Sequence, residues 1–115
     1  DMPLRLLAAE ITREQLFLKL HQELPYAATV ETESWEEKDD GSIRIEQTIY
    51  VERGSQRSIV LGKNGKMIKF LGAESRRELA DVVDVAVHLF LFVKVREKWG
   101  DDPIRYSHWG LDFNA

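Results

Sequence analysis

Apolar and polar positions change period several times along the chain, and each change predicts an element. Asp1 to Ala9 reads as a lead-in or linker remnant, with Pro3 followed by a short apolar patch. A helix is expected next. Thr12 and Gln15 fit a capping box, and Ile11 and Leu16 fit the flanking hydrophobic staple. Leu16, Leu20 and Leu24, with Phe17, form an apolar stripe, while Arg13, Glu14, Lys19 and Glu23 face water. Pro25 closes the helix, because the residue before a proline is pushed out of the helical region. From Ala27 the period becomes two, with Val30 and Thr32 alternating with Glu31 and Glu33. Lys38-Asp39-Asp40-Gly41-Ser42 supplies turn residues. Ile43, Ile45, Ile49 and Val51 then recur at every second position, with Gln47 the polar exception. The pattern is a β-hairpin whose second strand runs to about Arg53.

After Gly54-Ser55 a short helix is expected over Gln56 to Leu61. The sequence Gly62-Lys63-Asn64-Gly65 interrupts it, and a longer helix follows from about Gly65 to Leu79. Met67, Ile68, Leu71, Ser75 and Leu79 make the inner face of that helix. Gly72 inside it costs about 1 kcal/mol relative to alanine, which predicts close packing against a neighbouring element. Val85 to Arg96 alternates strictly and is apolar on both faces in its middle, the pattern of a central or well-covered strand. The tail, 101–115, holds Trp109-Gly110-Leu111-Asp112-Phe113 and reads as mobile or loosely docked. The body of the domain is expected over 10–100. Its order is helix, strand, strand, helix, helix, strand. A two-helix crossover returning to the sheet makes the last strand parallel to a hairpin strand, with a right-handed connection. The fold class is therefore α+β, with a small three-stranded mixed sheet covered by helices on one face.

Composition narrows the function classes. At 115 residues the chain is one domain with room for a real core. It has no cysteine, which excludes a disulfide framework, a thiolate nucleophile and a cysteine zinc site. The longest apolar run, Val85 to Val93, is broken by His88 and is too short to span a membrane. Met2 to Glu10 lacks the apolar core of a signal peptide. A soluble, intracellular protein is expected.

The net charge of −4 is unevenly spread. Glu31 to Glu46 holds seven acidic residues against Lys38 and Arg44. Arg53 to Arg77 holds seven basic residues (Arg53, Arg57, Lys63, Lys66, Lys69, Arg76 and Arg77) against Glu74. The positive segment coincides with the glycine pair. Such a patch attracts a polyanion even on an acidic protein.

The two glycines allow a sharp turn and a close approach of another chain to the backbone. Lys63 and Lys66 add positive charge, and the start of the following helix adds free N–H donors and a partial positive dipole. This chemistry suits a phosphodiester backbone with apolar surface beside it for the bases. A G-x-x-G loop that clamps a few nucleotides is the signature of a KH domain. The element order, with that loop between two helices, resembles the type II KH domains.

The resemblance extends beyond the loop. Glu10-Ile11, Arg13-Glu14, Glu23-Leu24-Pro25-Tyr26, Ile49-Tyr50-Val51 and Ser55-Gln56-Arg57 are similar to the C-terminal KH domain of the bacterial Era GTPases. Ile59-Val60-Leu61-Gly62-Lys63, Val93-Lys94-Val95-Arg96 and Trp99 extend that match to roughly Leu4 to Asp101. Asn64 stands where that family usually has a third glycine, and Gly54 where an acidic residue is common. No G-x-x-x-x-G-K-[ST] occurs, so the GTP-binding half of such a protein is not in this chain. The resemblance implies single-stranded RNA near the 3′ end of small-subunit ribosomal RNA as ligand. It also implies a role in assembling that subunit, and an N-terminal GTPase domain as partner in the parent. The location implied is cytoplasmic, with peripheral contact at the inner membrane. The residues matching the family's binding surface are Gln56, Arg57, Ile59, Gly62, Lys63, Asn64, Gly65, Lys66, Ile68 and Lys69. By physical role, Gly62 and Gly65 shape the clamp and Lys63 and Lys66 meet phosphates. Ile59 and Ile68 are candidates both for an apolar floor under bases and for ordinary core.

Other chemistries have little support. His21, His88 and His108 lack metal-ligand spacing to one another, no G-x-S-x-G elbow frames a serine, and Asp39 and Asp40 lie in a turn. The acidic hairpin rim lacks the ligand spacing of a calcium loop. No catalytic residue, metal or cofactor is assigned to the chain. The rival reading is a structural or protein-docking module in which the loop merely caps a helix and the tail aromatics form an interface.

Overall fold

The computed structural model describes residues 2–24 and 28–97. Helix α1 spans Met2–Leu20, strands β1 and β2 span Ala28–Glu37 and Ile43–Val51, and helix α2 spans Gly54–Leu61. A single 3-10 turn, Lys63–Gly65, separates α2 from helix α3 (Lys66–Val83), and strand β3 (Val87–Val95) is the last described element. The sheet order is β1-β2-β3, with β1 antiparallel and β3 parallel to β2. This is the α-β-β-α-α-β arrangement expected of a type II KH domain. Pro25, Trp99 and the tail lie outside the described residues.

Helix α1 begins earlier than the sequence pattern suggests. Residues 2–9 are helical rather than a lead-in, and Thr12 lies in the interior of the helix instead of capping it. The physical reason is burial. Ala8 is fully buried and joins Ile11, Ile43, Ile45, Leu79 and Val87 in one core cluster. Thr12 is also fully buried, and its hydroxyl turns across the interface to Gln47 on β2. A Thr-x-x-Gln pattern therefore arises inside a helix for reasons unrelated to capping. Phe17, placed by its spacing on the inner stripe, is 60% exposed and stacks on His21 with ring centroids 4.8 Å apart. Leu16, Leu20 and Leu24 do point inward, onto a second cluster with Ile49, Val51, Val60, Leu71 and Val93.

Every second residue of β2, from Ile43 to Val51, is buried on the helix-covered face. Strand β2 is thus the central strand, and β3 lies at the edge, contrary to the expectation from its two-sided apolar pattern. On β3 the inward residues Val87, Leu89, Leu91 and Val93 are buried or half-buried, whereas Phe90 and Phe92 stand exposed on the open face. Gly72 faces Leu91, but a Cβ built there would lie 3.8 Å from the Leu91 Cδ1. That is ordinary van der Waals contact, so packing does not require the glycine.

Candidate nucleic-acid interface

Helix α2 starts with the carboxamide oxygen of Gln56 accepting the backbone N–H groups of Glu52 (2.9 Å) and Arg53 (3.0 Å). This is the reciprocal half of a capping box, and it ties the helix to the end of β2. Helix α2 ends where the Gly62 N–H donates to the Ser58 carbonyl at 2.9 Å. Gly62 has φ 73° and ψ 177°, a region that glycine alone adopts readily. A Cβ at Gly62 would sit 2.6 Å from the Met67 Cβ and 2.8 Å from its backbone nitrogen. The chain therefore folds back tightly onto the first turn of α3. Asn64 (φ 56°) and Gly65 (φ 74°) are both left-handed. Asparagine is one of the few side chains that tolerate that conformation, which explains how it occupies a position where glycine would be at ease.

The turn projects Lys63 and Asn64 into solvent, with Lys66 and Lys69 exposed along the start of α3 and Arg57 exposed on α2. Lys63, Lys66, Lys69 and Arg57 take part in none of the ion pairs among the described residues. Beside them runs an open groove of about 580 Å³. Arg57, Leu61 and Ile68 form its helical wall, and Leu91 to Val95 of β3 form the other. The structure thus brings Arg57 and Ile68 into the groove, with Gly62 to Gly65 as a loop between its two helices. Ile59 and Ile68 both pack half-buried against the core, only Ile68 also lining the groove, and Gln56 is engaged in holding the start of α2.

The wall contributed by β3 was missed in the sequence. Leu91, Phe92, Val93, Lys94 and Val95 were visible only as a strand. Their place beside α2 depends on the parallel pairing that sets Val51 opposite Val95. The acidic turn lies at the other end of that strand, where Ile43 pairs with Val87. There Asp40 accepts the Ser42 hydroxyl at 2.6 Å and the Ser42 N–H at 2.9 Å, which hold its carboxyl below the usual range. The acidic turn is therefore at the opposite end of β2 and β3 from the glycine loop.

Among the described residues no three acidic or histidine side chains are grouped to hold a metal ion. No described helix is long and apolar enough to cross a membrane.

Residues 23–100 match the KH-domain family. The chain is 68% identical over 113 residues to the GTPase Era of Bradyrhizobium sp. (strain ORS 278), covering 98% of this chain and 37% of that protein. It is 66% identical over 113 residues to the GTPase Era of Agrobacterium fabrum, covering 98% of this chain and 36% of that relative. A crystal structure of an Aquifex aeolicus Era variant bound to GDP and aluminium fluoride superposes with a TM-score of 0.80 at 34% identity. That match covers 96% of this chain and 37% of the Aquifex chain. A structure of Era in complex with MgGDPNP and nucleotides 1506–1542 of 16S ribosomal RNA fits equally well, with a TM-score of 0.80, 34% identity and the same two coverages. The chain spans little more than a third of these relatives, and the GTPase part of Era lies outside it. The chain belongs to the KH-domain family and corresponds to the C-terminal KH domain of the Era GTPases.

Proposed function

We propose that this chain is the RNA-binding domain of an Era-type GTPase and grips single-stranded RNA between its G-x-x-G loop and the apolar groove beside β3. The observation that carries the reading is the juxtaposition of a tightly folded, left-handed turn carrying Lys63, with Lys66 next at the start of α3 and neither in an ion pair among the described residues, and an apolar groove of about 580 Å³. Backbone N–H groups and ammonium groups meet phosphates on one side, and bases lie against Ile68 and Leu91 on the other. Era's complex with nucleotides 1506–1542 of 16S ribosomal RNA supports small-subunit ribosomal RNA near its 3′ end as the ligand. Assembly of the small subunit, a cytoplasmic setting and coupling to an N-terminal GTPase domain follow from the same reading. Gln56 acts by fixing the start of α2, while Arg57, Lys66 and Lys69 supply charge along the path.

The test is charge reversal at the loop tip. Lys63→Asp with Asn64→Asp replaces attraction with repulsion where phosphates lie. Both positions are exposed, and Asp tolerates the left-handed conformation of residue 64, so stability is expected to shift by less than about 0.5 kcal/mol. RNA binding should be lost on folded protein, whereas Glu36→Lys with Glu37→Lys on the acidic hairpin should leave most of it. Equal RNA affinity in the loop variant and the parent at one salt concentration would refute the clamp.

A further inference from the structure

Strand β3 presents a second face, on the side opposite the helices. Phe90 and Phe92, 43% and 47% exposed, project from it on the side opposite the helices. The two rings differ in their surroundings. The Arg44 guanidinium lies 4.5 Å from the centre of the Phe90 ring and covers it. Phe92 has no cation and no second aromatic ring against it among the described residues. It belongs to both surfaces, standing on the open face while lining the groove next to Lys94.

Charge on the open face separates by strand. Its carboxylates lie on β1 and β2 and are engaged: Glu31 with Arg96 at 2.9 Å, Glu46 with Arg44 at 2.6 Å, Glu36 with Lys38 at 3.6 Å, and Glu33 with the Tyr50 hydroxyl at 3.0 Å. Lys94 on β3 has no ion-pair partner among the described residues. Among the described residues, a bare aromatic ring therefore stands beside an uncompensated ammonium group at the rim of the groove. Aromatic rings that stack bases and cations that follow the backbone are the recurring parts of single-stranded nucleic-acid sites.

We propose that the RNA does not end in the groove but crosses the edge formed by β3 and stacks a base on the exposed ring of Phe92, with Lys94 at the neighbouring phosphate. This rests on the groove reading above and adds a nucleotide position outside the few that a G-x-x-G clamp holds. The stacked position discriminates little between bases, because every base has a π face. Its contribution is length: an RNA long enough to reach over β3 binds more tightly than one that only fills the groove.

The experiment compares a tetranucleotide and an octanucleotide, both taken from the single-stranded 3′ end of small-subunit ribosomal RNA, by anisotropy on the whole 115-residue chain. Phe92→Ala should weaken the octanucleotide by about fivefold to a hundredfold, the range for loss of one base–aromatic stack. The tetranucleotide, which meets the ring only where it lines the groove, should lose clearly less, and an equal loss on both oligonucleotides would overturn the proposal. Phe92→Trp should restore octanucleotide affinity, whereas Phe92→Leu, apolar but without a π face, should not. Melting curves confirm that each variant is folded. If the tetranucleotide binds through the loop but Phe92→Ala leaves octanucleotide affinity unchanged, the stacking proposal falls and the groove reading stands. Full affinity in Phe92→Leu would equally overturn it, by making the contact merely apolar or the face a protein-docking surface. If the parent binds neither oligonucleotide, the groove reading fails and takes this proposal with it.

Discussion

The Thr12 hydroxyl on α1 donates a 2.5 Å hydrogen bond to the carboxamide oxygen of Gln47 on β2, and both residues are fully buried. The chain of donors continues. The Gln47 amide donates to the Thr32 hydroxyl at 3.2 Å, and that hydroxyl donates to the Arg5 carbonyl at 2.9 Å. This polar thread runs from α1 through β2 to β1 and back to the first turns of α1. It makes Gln47, the one polar residue among the inward positions of β2, a registering contact for the helix. Replacing Thr12 by Val leaves the Gln47 oxygen buried without its donor, at a cost of about 1–3 kcal/mol. Adding Gln47→Leu should recover part of that loss, because two apolar partners replace one orphaned acceptor. Urea denaturation of both single variants and the double variant measures the coupling. Strict additivity would show that the bond contributes nothing.

The two loop glycines should respond unequally to alanine. At Gly62 a Cβ meets the Met67 Cβ and backbone nitrogen at 2.6 and 2.8 Å, and its φ and ψ lie where side chains scarcely go. Gly62→Ala therefore costs about 1–3 kcal/mol for the backbone conformation alone, plus a shift of the first turn of α3. At Gly65 the space for a Cβ is open, and the penalty is only that of a left-handed residue, about 1–2 kcal/mol. Thermal melts should rank Gly62→Ala below Gly65→Ala. Amide shifts at Met67 should move further in the Gly62 variant.

The elements were legible in the sequence because their local periods agree with their burial, as in the inward run from Ile43 to Val51. What misled was ambiguity that only tertiary structure resolves. Phe90 and Phe92 look like core residues, and nothing local marks β3 as an edge strand. Thr12 has the chemistry of a cap and the position of a core residue. At the site, Gly62, Asn64 and Gly65 are legible because positive φ restricts the residues that fit. The second groove wall is not, since Leu91 to Val95 reach α2 only through pairing with a strand some forty residues earlier. Gln56 resembles a ligand-binding side chain in a motif, yet its oxygen is taken up by the backbone of Glu52 and Arg53.

Acid should loosen the hairpin turn. The Asp40 carboxyl is held below its usual range chiefly by the Ser42 hydroxyl and then by the Ser42 N–H. A depressed folded-state pKa means that the unfolded chain binds the proton more readily. The stabilisation is complete above the unfolded pKa, near 3.9, and is lost as pH falls through the folded value. Asp40→Asn should flatten this part of the acid limb in a pH series of melting temperatures. An unchanged limb would show that the Ser42 contacts do not contribute to it.

Salt offers the most direct measure of how many cations an RNA would meet on the proposed path. Arg57, Lys63, Lys66 and Lys69 stand exposed along one path, and none is neutralised by a salt bridge among the described residues. Each phosphate contact on a single strand releases counterions and contributes about −0.7 to the slope of log K against log salt. Two to four contacts give a slope of about −1.5 to −3 for the parent chain. Lys66→Ala removes one contact without touching the core and should make the slope shallower by about 0.7, weakening different RNA sequences to a similar extent. Ile68→Ala acts differently: it trims the apolar wall of the groove, so affinity should fall at every salt concentration while the slope stays fixed. Anisotropy titrations from low to physiological salt separate the two effects. A flat titration for the parent would mean that these four cations are a solvated helix face and that the groove binds no phosphate backbone.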